Sequence, residues 1–121
     1  MDENGMASAA PELWHVTVTV SGPSVPMPEL REALDRLAHE RPFMVSVRYA
    51  ADRAELRYWD EGESLDDVAA LALRVWGDHR RSAGLPDWST VGVEVIDRDS
   101  LQRRGDDRPP SLLVAAGVAP L

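Results

Sequence analysis

The residue types able to do chemistry are few and scattered in this chain. There is no cysteine, which removes thiolate nucleophiles, disulfides and thiolate-based zinc or iron–sulfur sites. There is no lysine either, since all 13 Lys+Arg positions are arginine. That removes Schiff-base chemistry and a Walker-type phosphate lysine. The histidines are His15, His39 and His79, far apart and without the HxH or HxxxH spacing that would hold a metal. A serine nucleophile beside one of them would be Ser21 or Ser64, and no nucleophile elbow surrounds either. The acidic run Asp60, Glu61, Glu63, Asp66 and Asp67 offers oxygen ligands but not the offsets of a calcium loop. Asp66 and Asp67 have a simpler role at a helix start, where negative charge is favoured. Ser21-Gly22-Pro23 stands between a strand and a helix, the place for an anion site, but its prolines delete the N–H donors a cradle needs. The residues therefore predict no catalytic residue, no metal ligand and no cofactor site.

The elements that would position any site follow from hydropathy period. Trp14, Val16, Val18 and Val20 alternate with His15, Thr17 and Thr19, a strand with one apolar face. Prolines punctuate residues 21–28, and Pro28 suits a first helical turn. Leu30, Ala33, Leu34, Leu37 and Ala38 form a helical stripe that Pro42 ends. Phe43, Val45, Val47 and Tyr49 alternate, then Leu56 and Tyr58, with a short turn around Asp52 joining two strands of a hairpin. Ser64 and Asp67 make a capping-box start for one helix carrying Leu65, Val68, Ala69, Ala72, Val75 and Trp76. Leu71 and Leu73 widen that stripe, as in a helix covered on more than one side. Arg80 and Arg81 suit its C-terminus and Gly84 its stop. A last strand puts Val91, Val93 and Val95 on one side and Gly92, Glu94 and Ile96 on the other. A short helical turn fits Asp99–Arg103.

The order is β-α-β-β-α-β, which predicts an α+β ferredoxin-like βαββαβ sandwich: a four-stranded antiparallel sheet, order 4-1-3-2, with two helices on one face. Expected core residues are Val16, Val18, Leu34, Leu37, Val45, Val47, Leu56, Val68, Ala72, Val75 and Val93. Expected organisation is a disordered segment over residues 1–12, a single domain over 13–101, and a flexible linker with an apolar tail over 102–121. The tail from Ser111 onward could add a strand to a sheet edge. The Ala, Arg, Asp, Gly and Pro bias resembles that of proteins from high-GC bacteria, and element order and bias together resemble small ferredoxin-like α/β proteins of such bacteria. That resemblance implies a fold, not an activity.

Bulk properties narrow the partners. A chain of 121 residues is one domain's worth. A net charge of -8 repels phosphate backbones, so nucleic acid is not an expected partner. No run reaches transmembrane length and the N-terminus has no signal-peptide pattern, so the expectation is a cytoplasmic protein without a membrane partner. The sharpest surface feature is Trp59. Alternation places it beside Arg57 on a central strand, on the sheet face away from the helices. Trp59, Arg57, Arg48 and Ile96 are the candidate interaction residues. They point to a non-catalytic protein-interaction or accessory domain, self-associating as a homodimer or engaging a protein partner. The alternative is a small-molecule-binding or enzymatic domain with a cleft near Trp59 and the 85–90 loop.

Overall fold

β1 (Glu12–Ser21) buries Trp14, Val16, Val18 and Val20 and leaves the alternate residues partly exposed. The strand is flanked on both sides by antiparallel partners. One is β3 (Arg53–Gly62), in a register that sets Val18 against Leu56; the other is β4 (Ser89–Asp97), which sets Val18 against Val93. β2 (Met44–Ala50) pairs with β3 as a hairpin. The computed structural model describes residues 12–105 and 117–121. Among these, Gly117–Pro120 is a fifth strand, β5, which adds parallel to β2. The sheet order is β4-β1-β3-β2-β5. Its first four strands have the ferredoxin-like order; the fifth makes the sheet mixed. The expected segment 1–12 lies outside the described residues except for Glu12, and so do residues 106–116 of the expected linker and tail.

α1 (Met27–Glu40) carries Pro28 in its first turn and buries Leu30, Ala33, Leu34 and Leu37. The expected second helix is two. α2 (Leu65–Ala72) starts at Ser64, whose Oγ accepts from the Asp67 amide at 3.2 Å. It ends where the Arg74 amide bonds the Leu71 carbonyl at 3.0 Å, a tight three-residue turn. α3 (Val75–Ala83) then sets off and stops at Gly84, whose φ of 73° is the left-handed conformation that glycine takes without strain. The break turns Leu71 and Leu73 out to solvent, and Leu65 at the start of α2 is exposed too. These leucines do not belong to the buried stripe.

α1, α2 and α3 share one sheet face, and their buried side chains join those of β1, β2 and β3 in one core. Arg36 of α1 donates from Nε to the Ala83 carbonyl at 2.8 Å, tying α1 to the end of α3. Trp88 packs flat on Trp76 at 5.8 Å, and its indole N–H reaches the Pro23 carbonyl at 2.8 Å. The Trp88 ring lies directly against Gly22, leaving no room there for a Cβ.

The structure corrects the expectation in two more ways. Met44 and Val45 together oppose Tyr58, so a bulge shifts the phase of β2. Met44 goes into the core, Val45 is only partly covered, and Phe43 stands 69% exposed at a φ of 63°. A similar shift between Thr19 and Val20 turns Val91 outward, while Val93 packs at the core's rim. The second correction is a further helix, α4 (Arg98–Gly105), which contacts β1 and β4 from the opposite sheet face. Helices on a single face are therefore a property of α1 to α3 only.

Candidate functional site

Three strands bring a row of side chains across the outer sheet face. Thr17 stands opposite Arg57 of β3 and opposite Glu94 of β4. One step along, His15 stands opposite Trp59 and Ile96. α4 lies above this face because Asp97 starts it: the carboxylate accepts from the Ser100 amide at 2.7 Å and from its hydroxyl at 3.0 Å. These bonds hold the Asp97 carboxyl below its ordinary range, the amide first. The helix brings Leu101 and Arg104 beside the strands and forms one wall of a half-open cleft of about 440 Å³. His15, Thr17, Glu55, Arg57 and Glu94 form the rest of its lining.

Charge in the cleft is balanced. Arg57 pairs with Glu55 at 3.2 Å, and Arg104 pairs with Glu94 at 3.3 Å. The Arg57 and Arg104 side chains remain about half exposed, so neither pair is locked away from solvent. His15 adds no further cation near neutral pH. Burial lowers its pKa, Arg57 and Arg104 push the same way, and Glu94 opposes them. Its Nδ1 is covered yet has no hydrogen-bond partner among the described residues. The Trp59 ring packs against the imidazole edge-on at 5.1 Å.

All four residues singled out from the sequence are on or beside this face. Arg57 lines the cleft; Trp59 and Ile96 flank His15; Arg48 stands opposite Glu55 and reaches the Gly117 carbonyl at 3.5 Å. The neighbouring carboxylates are engaged within the chain, Glu55 by Arg57 and Glu94 by Arg104. The 85–90 loop is not part of the cleft. Ser89 stands opposite Ser21, six residues along β1 from His15, which is roughly 20 Å of strand. His15, Thr17, Glu55, Glu94, Leu101 and Arg104 also line the cleft and were not among the candidate residues. For Leu101 and Arg104 the local signal was the spacing Asp97-x-x-Ser100, which starts a full helix rather than a single turn.

The other chemical candidates are used structurally. His79 Nδ1 and Ser82 Oγ both meet Glu40 Oε1, at 2.8 and 2.7 Å. This joins α3 to α1 and holds the Glu40 carboxyl low, the Ser82 bond contributing most. Ser82 Oγ meets the Glu40 carboxylate and the His79 carbonyl but not the His79 ring, so no nucleophile is activated. His39 bonds the Asp35 carbonyl within its own helix. In the 21–28 loop, the Gly22 and Val25 amides go to the carbonyls of Asp52 and Ala51, so they are not free for an anion. Asp60 pairs with Arg41 at 3.3 Å, and Arg41 lies 4.3 Å over the Tyr58 ring. Burial pushes the Tyr58 hydroxyl up to about 12, against the pull of Arg41. No group of three or more His, Asp or Glu placed to hold a metal occurs among the described residues.

Residues 13–110 match the family model described as "Domain of unknown function (DUF8830)". The chain belongs to this family. The matched span of DUF8830 runs from β1 through α4, so it includes all the residues that line the cleft. A solved structure, an acylphosphatase from Coxiella burnetii, is similar at 18% identity with a TM-score of 0.40, over 98% of this chain and 99% of that one. No curated protein matches. No helix among the described residues is long and apolar enough to cross a membrane.

Proposed function

We propose that this domain binds a small polar molecule in the cleft between the outer sheet face and α4, without turning it over. The observation that carries the reading is the convergence of polar groups from three strands and a helix. Thr17, His15 and two arginines with half-exposed side chains line one cavity of about 440 Å³, a volume within the range of ligand sites. Leu101 is the single large apolar side chain in the lining, so the ligand is polar. Binding rather than catalysis is supported by the chemistry present. The two cleft carboxylates, Glu55 and Glu94, are each paired with an arginine rather than set to activate the Thr17 hydroxyl. Screening a diverse fragment library against the isotope-labelled full chain, by amide chemical shift, tests the reading. Saturable shifts at Thr17, Arg57, Glu94 and Leu101 are expected. Shifts confined to other surfaces would reject it.

A second reading, a self-associating interaction domain, is favoured by a different observation. β4 runs nine residues along one edge of the sheet with no described strand on its outer side. Sedimentation at several concentrations tests it, with a concentration-independent monomer as the opposing result.

A further inference from the structure

The sheet edge beyond β2 holds a strand that differs from the other four. β5 runs parallel to β2, with Val118 opposite Val47 and Pro120 opposite Tyr49, and the Leu121 amide donates to the Tyr49 carbonyl at 2.7 Å. α1 lies alongside β2 and β5, and Val118 packs against the core in the groove so formed. Amide directions alternate along a strand. The Leu121 amide turns toward β2, so position 120 turns away, where proline offers no donor to a further strand.

The hold on β5 is slight. Val118 and Ala119 are partly buried, while Gly117 and Pro120 are exposed. One core-facing valine and a short ladder offset little more than the entropy of ordering the segment. Elements with so few buried contacts open at low cost. The span matched to the family, residues 13–110, includes α1 and β2 and stops before β5. The acceptor edge is thus inside the matched span and the strand seated on it is outside.

We infer that the groove between β2 and α1 is a peptide-recognition site with β5 as its displaceable resident. Its partner is a protein segment that lies extended and parallel to β2, with a branched apolar residue in the place of Val118. Strand addition supplies affinity through the backbone, and the one inward-facing position supplies selection. The tethered tail, at an effective concentration on the order of millimolar, makes the partner compete for the edge. The groove is separate from the cleft, since the residues that pair β2 with β5 do not line it.

The probe is acetyl-Gly-Val-Ala-Pro-Leu, titrated into the isotope-labelled full chain and its Val118→Asp variant. A carboxylate in the place of Val118 should release β5, moving the amides of the last five residues to random-coil positions while the rest of the spectrum reports an intact fold. The peptide should then shift the Ser46, Val47, Arg48 and Tyr49 amides. It should bind the variant about tenfold more tightly than the parent, whose own tail competes. Acetyl-Gly-Asp-Ala-Pro-Leu should not bind, and the Thr17 and Glu94 amides should stay in place. Should Val118→Asp fail to fold, Val118→Ala, which loosens the strand without burying charge, should give the same order of affinities. The inference fails if β5 stays docked in Val118→Asp, if the peptide leaves the β2 amides of the released variant unmoved, or if it binds parent and variant equally. A parent whose β2 amides and sedimentation change with its own concentration would seat a second copy's tail in the groove, and would overturn the assignment to a partner protein.

Discussion

His15 and Trp59 face each other across β1 and β3 with their rings edge to face, centroids 5.1 Å apart at 76°. An indole on a central strand is thus braced by a histidine on the neighbouring strand, at the border of the cleft. The contact joins the residue that best marked an interaction surface to one that lines the candidate site.

Replacing Trp59 with alanine removes this brace. If the outer face is a self-association surface, Trp59→Ala should weaken association by at least about 1 kcal/mol in sedimentation equilibrium while the domain stays folded. If the ring serves only to pack on His15, the variant should leave the sedimentation profile as it is and shift the His15 ring resonances.

The pH dependence of stability should carry His15's signature. Its folded pKa lies below the ordinary value of 6.5. The unfolded chain therefore binds this proton more readily, and stability falls as the pH drops through that value toward the folded one. Urea unfolding from about pH 7 to about pH 5 should show the loss. His15→Asn should flatten it. Glu40 and Asp97, both held low, add their own losses only at more acid pH, as the carboxylates are protonated.

Leu34 and Leu56 are fully buried on facing layers of the core. Truncating either to alanine should cost about 2–5 kcal/mol in chemical denaturation. Leu73→Ala, at an exposed site, should stay within about 0.5 kcal/mol of the parent. Equal effects at Leu56 and Leu73 would contradict the break between α2 and α3.

Phe43 holds a left-handed backbone while most of its ring is in water. Phe43→Gly should therefore stabilise the fold by about 1 kcal/mol, the order of the penalty for a side chain in that region. Gly22→Ala should do the opposite, by about 1–3 kcal/mol, because the new methyl would collide with the Trp88 ring. Denaturation midpoints compare the two.

Much of the fold was legible because it was written in local periods. The alternation of Trp14, Val16, Val18 and Val20 gave β1, Pro42 ended α1, and Ser64 and Gly84 marked true helix ends. The failures share a cause. Nothing in Phe43-Met44-Val45 announces a bulge; the phase shift arises from how Met44 fits the core opposite Tyr58. Leu71 and Leu73 extend an apolar stripe without glycine or proline to end it, and the helix breaks with α3 anchored by Trp76 on Trp88. The candidate site was half visible. Arg57, Thr17 and Glu94 share a face by alternation alone. The face over which α4 folds, and hence the places of Leu101 and Arg104, depend on tertiary contact that no local pattern encodes. β5 is similar: four residues become a strand because β2 offers them an edge.

The place of β1 in the sheet also has a consequence for the ribosome. This strand emerges before the others, yet its partners are β3 and β4, and β4 is translated only after all three core-facing helices. The β2–β3 hairpin can close locally in the meantime. The β3 edge of β1 can be covered once Gly62 is made, but its β4 edge stays bare until Asp97, so nascent chains stalled before β4 should be the ones that chaperones hold and that aggregate.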